Sequence, residues 1–157
     1  MKKVFLALLI LFLNQVFCQD KIDENFNKAY VDVFGKCFED LKPIEGTKEI
    51  LPSKKNISFC SLYQCVTRIE YAENNKDIEE EILKRAIEIT IRLYNAGTPI
   101  YLLSGRDSSG NAFAENKNLT DDNNLVYIAV AECITSDSIE KIKDIVNKET
   151  LKLIHKK

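Results

Sequence analysis

Asn56-Ile-Ser-Phe-Cys-Ser-Leu-Tyr-Gln-Cys-Val-Thr-Arg-Ile-Glu-Tyr-Ala-Glu-Asn74 holds two of the chain's five cysteines, Cys60 and Cys65. Phe59, Leu62, Val66 and Ile69 recur at steps of three and four, which lines one face of an amphipathic helix, with Ser58 as its N-cap. At 3.6 residues per turn, positions five apart point about 140° away from each other. On a helix, Cys60 and Cys65 are therefore too far apart and badly aimed to bond each other. Each reaches a different part of the chain, and the fold is arranged around this doubly pinned segment.

Upstream, Lys2 and Lys3 precede an apolar run from Val4 to Leu13, and a polar break follows. This reads as a secretory signal peptide over residues 1–18, cut after Cys18, and the run is too short to span a bilayer comfortably. Residues 19–157 then form a single secreted, extracellular helical domain with no further membrane segment. Loss of Cys18 leaves Cys37, Cys60, Cys65 and Cys133. An even set in a small secreted chain implies two disulfides. With Cys60–Cys65 removed, the pairings are Cys37–Cys60 with Cys65–Cys133, or Cys37–Cys65 with Cys60–Cys133. Asn56 and Asn118 head Asn-x-Ser/Thr sequons and are glycosylation candidates. The formal net charge is −2 and falls further without Lys2 and Lys3, which argues against a nucleic-acid partner.

Elsewhere the apolar positions repeat mostly at helical spacing. Ile22, Phe26, Tyr30, Val33, Cys37 and Leu41 make one stripe, with Cys37 facing inward, ended by Pro43 and Gly46. Asp77 and Glu80 form a capping-box pattern before a second stripe of Ile78, Ile82, Ala86, Ile89 and Leu93, stopped by Gly97 and Pro99. Ser136 or Asp137 caps a last helix with Ile139, Ile142, Ile145, Val146, Thr150 and Leu153 inside. Residues 104–120 read as loop. Leu125 to Ile134 reads as a buried central helix, and a strand over 125–130 competes because Val-Tyr-Ile is β-prone. Ile100 to Leu103 fits a helical turn or a strand. The fold expected is all-α, a compact bundle of about six short helices tied by two disulfides. The alternative is α+β, with strands near 98–103 and 125–130.

The chemistry-bearing residues are sparse. The one histidine, His155, sits among lysines at the end of the chain, where it is expected to be solvated. No metal-ligand cluster remains once the cysteines pair, and no phosphate-cradling glycine pattern exists, so neither metal nor cofactor is expected. Arg106-Asp107-Ser108-Ser109-Gly110 has only a superficial likeness to a serine-protease nucleophile loop, and the acidic run Glu79 to Glu81 reads as a solvated helix start. An enzyme is not expected. The tyrosines combine an apolar ring with a hydroxyl that can orient a ligand. Tyr63, Leu93, Tyr94, Tyr101, Phe113 and Tyr127 are the ligand-binding candidates, against the plainer reading that such residues fill the core.

The cysteine arrangement resembles that of insect pheromone and general odorant-binding proteins. The likeness lies in the leader, the first helix running to Tyr30-Val-Asp-Val-Phe-Gly-Lys-Cys37, the segment Cys60-Ser-Leu-Tyr-Gln-Cys65-Val-Thr-Arg-Ile, and a late helix ending near Cys133. The chain departs from the family by its fewer cysteines and a longer gap between Cys60 and Cys65. The resemblance implies a helical carrier of a small hydrophobic ligand in an internal apolar cavity. It also implies a Cys37–Cys65 bridge, which leaves Cys60–Cys133 as a non-standard second one. Divergent relatives also serve in venom and saliva, so a secreted helical protein acting through protein–protein contact on a receptor or host protein is the other expectation. A sheet through 98–103 and 125–130 would count against the resemblance.

Overall fold

The computed structural model describes residues 28–47, 58–117 and 125–156. The leader expected at 1–18, its expected cleavage point and the sequon asparagines Asn56 and Asn118 lie outside them. The protein is mostly helical, with one small sheet. A π-helical turn at Lys28–Phe34 is followed by α1 (Leu62–Arg68), a 3-10 turn at Ile69–Ala72, α2 (Lys76–Asn95), β1 (Ile100–Ser104), α3 (Ser108–Lys117), β2 (Val126–Ala131) and α4 (Asp137–Ile154).

The two long helices follow the sequence pattern. Ile78, Ile82, Ala86, Ile89 and Leu93 of α2 are all buried. Its N-cap is Asn75 rather than Asp77: the Asn75 carboxamide oxygen accepts from Ile78 N–H at 3.2 Å, which places Asp77 and Glu79 in the first turn, where the helix dipole favours them. Gly97, at φ +79°, turns the chain out of α2 in the left-handed region that favours glycine. Helix α4 is capped by Ser136 and buries Ile142 and Val146 against α2 and β1. One core cluster runs through the described residues from Ala29 to Val146.

The cysteine segment is shorter and more tightly capped than its periodicity suggested. Helix α1 begins at Leu62, and its N-cap is Ser61, not Ser58. The Ser61 hydroxyl accepts from Gln64 N–H at 3.3 Å, while the Gln64 side-chain oxygen reaches back to Cys60 N–H at 2.8 Å. This is close to a reciprocal capping box, and its Ser-x-x-Gln signature was present in the sequence. Cys60 therefore lies before the helix.

The disulfide is Cys37–Cys60, with Cα atoms 4.7 Å apart. Neither bridge implied by the family resemblance, Cys37–Cys65 or Cys60–Cys133, is formed. Cys65 is a free, fully buried thiol and Cys133 a free, exposed one. The first helical segment ends at Phe34, so Cys37 is exposed and not on an inward stripe. Cys60 meets it because Phe38 N–H donates to Cys60 O at 2.8 Å, laying the two short stretches side by side. Arg85 of α2 ties both down, donating to Phe59 O at 3.1 Å and Lys42 O at 2.7 Å.

A purely helical bundle is not observed. Ile100–Ser104 and Val126–Ala131 are strands paired in parallel, Ile100 opposite Val126 and Leu102 opposite Ile128. The helix expected over Leu125 to Ile134 is thus a strand. Alternation explains it: Val126 and Ile128 are buried in the core while Tyr127 and Ala129 are half-buried on the other face, a period of two. Parallel strands need a crossover, and α3 supplies it from residues expected to be loop. Its inner face is Ser108, Ala112 and Asn116, spaced by four but small or polar, so no apolar stripe announced it. The sheet counts against the all-helical architecture that the resemblance implies.

A two-stranded parallel sheet exposes two edges, and unpaired buried backbone groups are costly. Side chains fill the places where further strands would lie. On the outer edge of β1, Leu102 N–H donates to Asn147 Oδ1 at 2.7 Å, Asn147 Nδ2 donates to Leu102 O at 2.8 Å, and Thr150 Oγ1 donates to Ile100 O at 2.8 Å. On the outer edge of β2, Asn116 makes the same paired contact with Tyr127 at 2.7 and 2.8 Å, and the Tyr30 hydroxyl serves Ala129. Among the described residues no buried side-chain nitrogen or oxygen lacks a partner.

Candidate functional site

Once α4 lies along the edge of β1, a cleft of about 500 Å³ opens between them, lined by Tyr101, Leu102, Leu103, Ser104, Lys143, Asp144, Asn147, Lys148 and Leu151. Residues 143, 144, 147, 148 and 151 share one stripe of α4, beside its core-facing stripe. Tyr101 and Leu103 are on the sheet face opposite Ile100 and Leu102, so they point away from the core. The Tyr101 ring lies 5.7 Å from that of Tyr127, its register partner. Burial holds the Tyr127 phenol above its usual value, with Glu115 and Tyr101 adding to the shift.

Of the ligand candidates read from the sequence, only Tyr101 lines this cleft, and Tyr127 stands behind it. Leu93 is fully buried in the core. Tyr63 is half exposed on α1, edge-on to Phe34 at 5.7 Å, and Phe113 is half exposed on α3. Tyr94 is partly buried near the end of α2. Tyr63, Phe113 and Leu93 thus lie on α1, on α3 and in the core, apart from this cleft. The α4 side of the cleft was missed. Its sequence signal was Asn147, a polar residue within the inner stripe between Val146 and Thr150, together with Leu151, an apolar residue off that stripe.

At one end of the cleft is a polar knot. Glu140 accepts from Ser104 Oγ at 2.6 Å and Thr135 Oγ1 at 2.7 Å, and it pairs with Lys143. Lys143 also donates to Ser104 Oγ at 2.9 Å. The Lys143 contact, then the two hydroxyls, hold the Glu140 carboxyl at about 2. A serine beside a lysine invites comparison with a nucleophile and its base. Here the Ser104 proton goes to Glu140, a carboxylate too weakly basic to take it away. Lys143 is held in an ion pair with that same carboxylate.

The knot joins the end of β1, the loop before α4 and α4 itself, and its contribution depends on pH. A carboxyl held low when folded adds stability above its unfolded value, near 4.3, and loses it as the pH falls toward about 2. The gap in urea midpoint between the protein and Glu140→Gln is expected to be widest above pH 5 and to close toward pH 2. A gap that stays constant across that range would show that the knot is not held by ionisation.

No protein-family model matches the chain, and neither a curated protein nor a solved structure gives a significant match. No helix among the described residues is long and apolar enough to cross a membrane.

Proposed function

We propose that this is a secreted, non-enzymatic binding protein that carries a small ligand with an apolar body in the open cleft between β1 and α4. The observation that carries the reading is the cleft's division of labour. Its apolar groups, Tyr101, Leu103 and the 40% exposed Leu151, face outward, while its backbone edge is already occupied by Asn147. An extended peptide adding to β1 would find its hydrogen-bonding positions taken, so side-chain contact with a compact ligand is favoured over strand addition. The Cys37–Cys60 bridge supports an oxidising compartment. The ligand class matches the one that the odorant-binding resemblance implies, but the site is a surface cleft instead of an enclosed cavity. The exposed large apolar residues Val31, Tyr63, Tyr71, Phe113 and Ile134 are spread over separate elements, which gives the protein-contact reading less to stand on.

The chain has no tryptophan, so binding is followed with an added dye. The disulfide-intact protein is expected to bind N-phenyl-1-naphthylamine saturably at one site. Leu151→Ser is expected to weaken that binding roughly fivefold, from the loss of about 1 kcal/mol of apolar contact. Folded protein that shows no saturable binding would sink the carrier reading.

A further inference from the structure

Resting on the cleft reading above, we infer that the ligand is an organic anion: an apolar body over Tyr101, Leu103 and Leu151, with one acidic group held by Lys148. Most polar groups of the cleft are already engaged. Both ends of the Asn147 carboxamide are used on Leu102. Ser104 Oγ donates to Glu140 and accepts from Lys143. Lys143 is answered twice, by Glu140 and, at 3.8 Å, by Asp144. Lys148 is exposed on the same wall and makes no hydrogen bond or ion pair among the described residues. The Tyr101 hydroxyl is likewise unengaged there. Asp144, one turn before Lys148 on α4, approaches Lys143 at 3.8 Å and makes no ion pair with Lys148.

A ligand that covers the apolar side chains therefore meets one ammonium at the rim, Lys148, that no carboxylate among the described residues pairs directly. Covering that cation with an uncharged group would cost part of its hydration without return. A carboxylate, sulfate or sulfonate gives a charge-assisted hydrogen bond instead. Discrimination thus rests on the one ammonium at the edge of the cleft that has no partner among the described residues.

Two dyes sharing a phenyl-naphthylamine body test this: 8-anilinonaphthalene-1-sulfonate, which carries a negative charge, and N-phenyl-1-naphthylamine, which carries none. The anionic dye is expected to bind at least roughly fivefold tighter at low salt, with the advantage shrinking as salt rises. Lys148→Gln is expected to erase the advantage, read as the ratio of the two dyes' affinities. Lys84→Gln on α2 changes net charge equally, away from the cleft, and is expected to preserve the advantage. Equal affinity for the two dyes, or an advantage that survives Lys148→Gln or is lost equally in Lys84→Gln, would overturn the anion assignment while leaving the cleft as a site. Failure of both dyes to bind saturably would overturn the cleft reading and this inference together.

Discussion

Asn147→Leu is expected to lower the unfolding free energy by about 2–4 kcal/mol. The substitution keeps the side chain's bulk but removes both contacts with Leu102, whose residue is 1% exposed. It strands one donor and one acceptor in a buried setting, each at a cost of about 1–3 kcal/mol. Thr150→Val, which removes one contact to Ile100 O, is expected to cost about half as much. Urea unfolding of the two variants checks the ranking. If Asn147→Leu costs no more than Thr150→Val, the paired contact is not what closes the edge of β1. A second consequence is expected at higher concentration. An opened edge is a template for another chain, so light scattering should show association of Asn147→Leu that the parent protein does not show.

Loss of the Cys37–Cys60 bridge is expected to cost about 3 kcal/mol, from the chain entropy of a loop closed across a sequence separation of 23. Urea midpoints of the parent and of Cys37→Ala/Cys60→Ala provide the measurement. Peptide mapping after alkylation of the unreduced, folded protein tests the pairing itself. Cys133 is expected to be modified quickly and Cys65 only on unfolding. Burial pushes the Cys65 thiol up to about 12, with Arg85 and Arg68 pulling weakly the other way, so almost no thiolate is available for attack or exchange. Rapid labelling of Cys60 in the native state would show that the Cys37–Cys60 bridge is not formed.

Helical periodicity puts Cys60 and Cys65 on one helix, but only Cys65 is helical; the two do not bond each other, as that periodicity implied. The choice between the remaining pairings was taken from the resemblance, and the structure differs from it. Cys60 lies just before the helix start, where the chain still runs extended beside Phe38. Cys65 lies one turn into α1, on the stripe that packs into the core with Leu62, Val66 and Ile69. A residue on that stripe has no route to the exposed Cys37 without withdrawing from the core.

The site was legible only in part for a similar reason. Tyr101 stood out as an aromatic residue off any helical stripe, and it does line the cleft. Leu93 and Tyr94 lie near it in sequence, but α2 turns Leu93 fully into the core. Lys148 and Leu151 look like ordinary solvated-face residues until α4 is laid beside β1.

Local sequence was enough to determine α2 and α4. Each has a long run of apolar residues at helical spacing, a capping side chain in Asn75 or Ser136, and, for α2, a glycine able to adopt positive φ at its end. It was also enough to name most of their buried residues. The state of Ile100–Ser104 and Val126–Ala131 was decided by tertiary structure. Short apolar runs satisfy a buried helix or a buried strand equally, and the choice falls to whatever supplies the missing backbone partners. Here those partners are Asn147, Thr150, Asn116 and Tyr30, between 11 and 99 residues away from the carbonyls and amides they meet. Contacts of that separation leave no periodicity in the sequence. The disulfide pairing and the cleft, which both depend on how distant segments lie side by side, were settled at the same level.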